Sequence, residues 1–268
     1  MKKKEDRIYK YKLLVTCSAA QFREEATSLA AHLGVPMTED PTVAGEAALR
    51  LQLDEKGLAL AGEDLHMQGD LSRMLPRLKQ ANLQGELLVK AAKRRDFEGL
   101  PVLWDATAGM GEDSLLLAAA GFRVELFEFD PVIAALLRDS LERARALPDL
   151  EEIVSRMHLH EGDSIRAMWE LTEGKSNIPA PDVILLDPMF PERQKSGMIK
   201  KKFQLLQQLE SPCGVEEELL EAALAVCPRK VIIKRPAKGP YLAGRKPDYS
   251  LPGKAIRYDC ILGRNINI

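Results

Sequence analysis

The spacing of apolar and polar residues changes near residue 100 of this 268-residue chain. Before that point the pattern predicts a strand over residues 11–17, a helix over 19–33 and a hairpin over 47–61. Ser18 is expected to cap the helix and Gly34 to end it, because these residue types favour those positions. Together these elements predict a small α+β unit that spans residues 1–75.

From Pro101 onward, apolar runs of strand length alternate with runs at helical spacing. Strands are predicted over residues 102–104, 123–128, 157–160, 182–186, 230–234 and 254–262. Helices are predicted over residues 83–92, 114–120, 131–146 and 216–227. Such alternation is typical of a doubly wound α/β sheet, and the last strand is a candidate for an antiparallel pair. We predict a Rossmann-like domain over residues 76–268.

Composition and charge place the chain among globular proteins. Hydrophobic residues make up 46%, charged residues 29%, and the formal net charge is −2. The chain is therefore no polycation, and any contact with nucleic acid must come from a local basic patch. Its four cysteines form no Cys-x-x-Cys pair, so we expect no metal. No apolar run has the length of a membrane span or signal peptide, so we expect a cytoplasmic protein that does not bind membranes.

A turn of small residues follows the first strand of this second part. The segment Val-Leu-Trp-Asp-Ala-Thr-Ala-Gly-Met-Gly runs from Val102 to Gly111 and precedes an apolar helix. In parallel sheets such a turn lies at the carboxyl end of a strand and cradles a ligand. Gly109 and Gly111 let the backbone approach that ligand closely. The turn alone is not specific for a ligand, because tight strand-to-helix turns also occur without one.

Each of the first four strands of the predicted sheet ends at an acid. These acids are Asp105, Glu128, Asp163 and Asp187. Glu128 lies near the ~20-residue offset from the glycines at which a carboxylate binds ribose hydroxyls. We expect Asp163 to accept a hydrogen bond from an adenine amino group with Ser164 beside it, and Phe129 to flank the adenine ring.

Two more acids, Glu112 and Asp113, begin the helix after the glycine turn. Acids at a helix N-terminus are favourable in themselves, but they repel a pyrophosphate. The site therefore suits a cationic nucleoside better than a dinucleotide such as NAD. S-adenosylmethionine has a ribose, an adenine and a sulfonium but no phosphate, and we predict it as the cofactor.

The fourth strand ends in Asp-Pro-Met-Phe, which resembles the Asp/Asn-Pro-Pro-Tyr/Phe motif of amino methyltransferases. Asp187 and the carbonyl of Pro188 can accept the two hydrogens of an exocyclic amine and so direct its lone pair at a methyl group. Phe190 can stack on a base that has left its helix. We predict these three residues as the catalytic group.

Positive charge is concentrated beside this motif. Residues 193–202 contain no acid, and residues 228–257 contain nine Lys or Arg and one acid. Such a patch is typical of a surface that binds a phosphate backbone, although charge runs are also common on solvated faces. The residues predicted to contact RNA are Arg193, Lys195, Lys200, Lys201, Lys202, Lys234 and Arg235.

Three segments resemble the bacterial ribosomal RNA small subunit methyltransferase J family. They are Val-Leu-Trp-Asp-Ala-Thr-Ala-Gly-Met-Gly-Glu-Asp from Val102, Phe-Glu-Phe-Asp-Pro-Val from Phe127, and Leu-Asp-Pro-Met-Phe-Pro from Leu186 with the lysines that follow it. The similarity covers residues 102–202 and continues through Val-Ile-Ile-Lys-Arg-Pro near the end.

This resemblance implies a class I S-adenosylmethionine-dependent methyltransferase sheet. It also implies methyl transfer to the N2 amine of one guanosine near the 3′ end of 16S ribosomal RNA, which is the partner we expect. The cofactor contacts that it implies fall on Glu112, Asp113, Glu128, Phe129, Asp163, Ser164 and Asp187.

Two alternatives stay open at this point. One is a non-catalytic RNA-binding protein with the same fold, and the other is an amino methyltransferase that acts on DNA or protein. The full set of strand-end acids favours an enzyme over a binding protein, because RNA binding alone does not need these acids.

Overall fold

A computed structural model describes residues 13–40, 49–62, 65–93, 99–188 and 215–263. The described chain contains two β-sheets. The first has five strands in the order β2-β1-β3-β4-β5. Their bounds are β1 (Leu14–Cys17), β2 (Met37–Thr38), β3 (Arg50–Asp54), β4 (Gly57–Gly62) and β5 (Leu65–Gln68). The hairpin predicted from the alternating pattern is confirmed, since β3 and β4 pair antiparallel with Asp54 opposite Gly57.

The predicted first helix is confirmed with one correction at its start. A 3-10 turn over Ala20–Phe22 leads into α1 (Arg23–Leu33), and Gly34 ends the helix with a positive φ of 69°. Ser18 does not cap it, because Ala19 is at the N-cap of the 3-10 turn and Phe22 is at the N-cap of α1. The regular helix therefore begins at Arg23 and not at residue 19.

The second sheet has seven strands in the order β11-β12-β10-β9-β6-β7-β8. Strands β10, β9, β6, β7 and β8 run parallel, and β12 pairs antiparallel with both β10 and β11. The bounds are β6 (Val102–Asp105), β7 (Arg123–Glu128), β8 (Met157–Glu161), β9 (Val183–Leu186), β10 (Lys230–Pro236), β11 (Tyr249–Pro252) and β12 (Ile256–Leu262). All six predicted strands are confirmed, and β11 is an addition to them.

Eight further α-helices follow α1 in the described part of the chain. They are α2 (Leu75–Leu78), α3 (Gln80–Leu83), α4 (Leu87–Ala92), α5 (Glu112–Ala119), α6 (Pro131–Arg145), α7 (Pro148–Val154), α8 (Ser164–Thr172) and α9 (Val215–Ala225). The helix predicted over 83–92 is divided, because the Gly85 N–H turns back to Asn82. The α6 prediction is confirmed, with Asp130 capping the N–H groups of Val132 and Ile133. No helix among the described residues is long and apolar enough to cross a membrane.

Apolar side chains cover both faces of the second sheet, as expected for parallel strands that read as apolar runs. Successive residues of β6 point to opposite faces, so Leu103 packs with α5 and α6 while Trp104 packs with α8 and α9. A third cluster joins α6 to the first sheet through Val132, Ala135 and Leu136. Helix α6 therefore packs against both sheets. The domain boundary predicted at residue 75 falls between the two sheets and stays a prediction.

One buried acid fixes the turn that leaves β6. Asp105 is 2% exposed, and its carboxylate accepts the Ser114 hydroxyl at 2.5 Å and the Thr107 N–H at 3.2 Å. Burial raises the pKa of Asp105 to about 7, against the effect of these hydrogen bonds. The carboxylate thus ties the end of β6 to the first turn of α5.

The raised pKa predicts a pH-dependent stability difference between the protein and Asp105→Asn. A group whose pKa is raised on folding stabilises the fold at low pH and loses that contribution as pH rises from 3.8 to about 7. A pKa that differs by one unit between the folded and unfolded states corresponds to about 1.4 kcal/mol. As pH rises from 3.8 to about 7, the unfolding free energy of Asp105→Asn should therefore increase relative to that of the wild type by up to about 4 kcal/mol. Urea unfolding at several pH values measures this, and parallel stability curves for the two proteins would contradict it.

Candidate active site

The strand-end acids lie side by side along one edge of the second sheet. The strand order β9-β6-β7-β8 places them in the order Asp187, Asp105, Glu128 and Asp163. All four strands are parallel, so these residues share the edge where ligands bind in open α/β sheets. The predicted juxtaposition of these acids is therefore present in the structure.

Hydrogen bonds between the loops hold this edge together. The Asp187 N–H donates to the Thr107 hydroxyl at 2.7 Å, which joins the end of β9 to the turn after β6. The Ala108 N–H donates to the Phe127 carbonyl, and the Gly162 N–H donates to the Glu128 carbonyl at 2.9 Å. The four loops consequently have fixed positions relative to one another. Sequence reasoning missed Thr107, whose signal was a small hydroxyl residue inside the glycine turn.

The two glycines of the turn have different roles. Both have positive φ, 54° at Gly109 and 77° at Gly111, which favours glycine. A Cβ at Gly111 would lie 2.7 Å from Leu137 Cδ1, so this glycine lets α5 start against α6. A Cβ at Gly109 would meet no atom of the described structure within 4 Å, so this position faces open space. Gly109 is therefore where a ligand can approach the backbone.

Both oxygens of Glu128 accept backbone hydrogen bonds. One accepts the Gly109 N–H at 2.9 Å and the other accepts the Asp130 N–H at 2.8 Å. The side chain is 5% exposed, so its rotamer is fixed by these contacts. Each carboxylate oxygen can accept more than one hydrogen bond, so the same two oxygens can also accept from a pair of hydroxyl groups. The arrangement suits a ribose diol beside the glycine turn.

The next residues along the edge are suited to an aromatic ring and its amino group. Phe129 is 54% exposed, although large apolar side chains are usually buried. Asp163 is exposed, and its Oδ1 accepts the Ile165 N–H at 2.9 Å as the N-cap of α8. Ser164 is buried at the start of that helix. Asp163 thus has both a capping role and a position at the site.

The structure corrects the expectation for Asp105. Its carboxylate is enclosed and already accepts from Ser114 and Thr107. It therefore positions the glycine turn from below instead of contacting a cofactor. Glu112 is exposed on the first turn of α5, where a contact with a ligand is sterically open.

A lysine bridges two acids on either side of the site. Lys234 Nζ lies 2.7 Å from Asp113 Oδ2 and 2.8 Å from Asp187 Oδ2. Burial disfavours the lysine charge, but the two carboxylates outweigh it and raise the pKa of Lys234. Burial also raises the pKa of Asp187, and Lys234 is the main effect that opposes this rise.

The structure places Lys234 and Arg235, which were both predicted to contact RNA, in different surroundings. Adjacent strand residues point to opposite faces, so only Lys234 reaches the site, where carboxylates hold it. Arg235 is 1% exposed and donates to Glu216 at 3.2 Å and to the Pro240 carbonyl at 3.1 Å. Neither guanidinium face is available to a phosphate.

Part of the predicted site lies outside the described residues. Pro188 is described and half-buried directly after Asp187. Phe190, which was predicted to stack on the base, lies outside the described residues. So do the basic residues that were predicted to contact RNA in the same segment, which are Arg193, Lys195, Lys200, Lys201 and Lys202.

Comparison with known proteins identifies the family. Residues 38–262 match a family model described as "Putative SAM-dependent methyltransferase". Ribosomal RNA small subunit methyltransferase J of Thioalkalivibrio sulfidiphilus is 40% identical over 257 residues, which cover 92% of this chain and 96% of the relative. The protein of the same name from Pseudomonas aeruginosa strain PAO1 is 38% identical over 257 residues, with 92% and 94% covered.

A solved structure agrees with these sequence matches. The crystal structure of an S-adenosylmethionine-dependent methyltransferase from Neisseria gonorrhoeae superimposes with a TM-score of 0.72 at 27% identity, and the match covers 95% of this chain and 97% of that one. The predicted class I methyltransferase sheet is therefore confirmed. The chain belongs to the ribosomal RNA small subunit methyltransferase J family, as its glycine turn and Asp-Pro-Met-Phe motif predicted.

Proposed function

We propose that this protein transfers a methyl group from S-adenosylmethionine to the exocyclic N2 amine of a guanosine in 16S ribosomal RNA. The observation that supports it most is the shared sheet edge of Glu128, Asp163 and Asp187, in a chain matched over more than nine-tenths of its length by relatives named for small-subunit ribosomal RNA. Such an enzyme works where ribosomal subunits are assembled, so we propose a cytoplasmic location.

The residues along the edge fit the cofactor. Glu128 offers carboxylate oxygens for the ribose hydroxyls, Asp163 for the adenine amino group, and Phe129 an exposed ring for the adenine face. The space at Gly109 admits the ligand beside the backbone. S-adenosylmethionine, when bound, supplies an electrophilic methyl group on a positively charged sulfur. The acids of the site favour that charge.

The substrate side of the site is built on Asp187. Its Oδ2 is held by Lys234, so its other oxygen and the Pro188 carbonyl remain to accept the two hydrogens of the amine. This orientation directs the nitrogen lone pair at the methyl group and lowers the barrier by positioning. Lys234 opposes the rise in the pKa of Asp187 that burial causes and so favours the ionised acid. An ionised acid accepts hydrogen bonds without competing as a donor. We propose that Phe190 stacks on the extruded base and that the basic run from Arg193 to Lys202 binds the phosphate backbone.

A deletion strain tests this function and the role of Asp187 together. Its 16S ribosomal RNA should lack one N2-methylguanosine in mass analysis, and the wild-type gene should restore it. Asp187→Ala should lower kcat by about 100-fold, because one positioned acceptor of the reacting amine is lost. Asp149→Ala changes an exposed acid on α7, is the matched control and should restore the mark fully. Full methylation in the deletion strain, or normal activity of folded Asp187→Ala, would refute the assignment.

Glu128→Gln should separate cofactor binding from RNA binding. Each oxygen of Glu128 accepts one backbone N–H, and glutamine replaces one of these oxygens with an NH₂ donor. The variant therefore loses one hydrogen bond to the backbone and one acceptor for a ribose hydroxyl. Isothermal titration should show S-adenosylmethionine binding weakened by about 10- to 100-fold. RNA affinity should stay within about twofold of the wild type. An equal loss of both affinities would contradict the ribose assignment.

Lys234→Met should move the acidic limb of the pH–activity profile to higher pH. Burial and the nearby Asp113 carboxylate would then raise the pKa of Asp187 further, because Lys234 is the main effect that opposes them and only the weaker effect of Arg235 would remain. Activity needs the ionised acid, so the activity of the variant should be lost at low pH and recover as pH rises. The acidic limb of its pH–activity profile should be displaced by about 1 to 3 pH units. Lys234→Arg should restore most of the profile, and the exposed Lys238→Met should leave it unchanged. A uniform loss of activity at every pH would contradict this electrostatic role.

A further inference from the structure

A cavity of about 570 Å³ lies beside the proposed active site. Its walls come from the α2–α4 segment and from the start of β12, including Ile256 and Tyr258. Ile256 pairs with Pro236 at the carboxyl end of β10, so the cavity opens at the same sheet edge as the strand-end acids. Its volume is within the range of small-ligand pockets. Its lining residues take no part in the proposed contacts with the cofactor or the reacting amine.

A tyrosine hydroxyl is available to a ligand in this cavity. Tyr258 lines the cavity and is 4% exposed. A phenol hydroxyl can donate a hydrogen bond to an acceptor on a ligand. Tyr258 lies opposite Lys234 in the β10–β12 register, so both side chains are on the same face. Burial and the Asp113 carboxylate raise the pKa of Tyr258, so the hydroxyl remains a donor.

The opposite wall offers a planar cation and further polar groups. Arg77 donates to both oxygens of Glu86, at 2.8 and 2.9 Å, and this paired geometry fixes the guanidinium plane. Asn82 uses its NH₂ group to bond the Pro76 carbonyl at 2.8 Å, which leaves its side-chain oxygen as an acceptor. The charges of Asp113 and Glu112 act on Arg77, so this wall is close to the proposed substrate site.

We propose that this cavity receives an unpaired nucleotide that neighbours the methylated guanosine in the same RNA strand. Proteins recognise unpaired RNA bases by stacking them on aromatic rings or arginine planes and by hydrogen bonds to their edges. The cavity provides an arginine plane, a hydroxyl donor and an amide acceptor. It is adjacent to Asp113 and Lys234, which link it to Asp187. The inference rests on the proposed function and names how that substrate is held.

Two variants test the cavity by different means. Ala81→Trp adds bulk at an exposed position that lines the cavity, and Tyr258→Phe removes only the hydroxyl. With naked 16S ribosomal RNA, Ala81→Trp should raise KM and weaken RNA binding by about 10-fold or more. Tyr258→Phe should do so by about 3- to 10-fold, the effect of one hydrogen bond. S-adenosylmethionine affinity should be unchanged in both variants.

Matched controls show whether the effect belongs to the cavity. Gln80→Trp places the same indole side chain at the exposed neighbour of Ala81, and Tyr241→Phe removes the hydroxyl of an exposed tyrosine. Both should behave as the wild type. Unchanged RNA affinity in Ala81→Trp and Tyr258→Phe would overturn the proposal, and so would weakened S-adenosylmethionine binding, which would assign the cavity to the cofactor.

Two further outcomes separate this inference from the proposed function. A defect seen with assembled small subunits but not with naked RNA would indicate a ribosomal protein as the occupant and would overturn the inference. If the wild-type protein methylates no ribosomal RNA, the proposed function fails. The RNA affinities of the same variants, measured by fluorescence anisotropy, then still decide whether the cavity binds RNA.

Discussion

The chemistry of the site depends on one lysine that separates two acids. Lys234 lies within 2.8 Å of carboxylate oxygens of both Asp113 and Asp187. Without a cation between them, two carboxylates in a half-buried space would repel each other, and one would take up a proton. A protonated Asp187 would present a donor to an amine whose hydrogens need acceptors. Lys234 thus favours the form of Asp187 that presents acceptor oxygens, and no donor, to the substrate amine.

The same edge shows how the backbone controls the acids that face a ligand. Glu128 receives two N–H groups, one from the glycine turn and one from the start of α6, and so holds the turn against β7. Asp105 does the equivalent below the turn, where it reaches α5 through Ser114. Acids at strand ends therefore divide into one that binds only protein and others that can also accept from a ligand. Asp105 is 2% exposed and Asp163 is exposed, while Glu128 is buried as well but binds Gly109, where the backbone faces open space.

The sequence predicted what depends on local pattern. Strand β9 was predictable because its sequence, Val-Ile-Leu-Leu, is the continuous apolar run that is typical of a buried parallel strand. Helix α6 was predictable from its Asp-Pro start. The hydrogen-bond and ion-pair partners of individual side chains were not predictable, because they depend on which residues the fold brings together. Arg235 follows Lys234 directly, yet strand alternation buries it against Glu216. Helix α8 was missed because its capping residue, Asp163, was interpreted only as a ligand contact.

The first sheet contributes to the site through its contacts with the second. Met110, between the two glycines of the turn, packs against the apolar cluster that joins the first sheet to α6. His32 of α1 lies 3.1 Å from Glu161, which pairs with Glu128 at the end of β8. The turn and the ends of β7 and β8 thus rest on the first sheet and α1. Because positioning by about 1 Å matters for methyl transfer, a loosened first sheet would disturb the cofactor edge without any change in its acids.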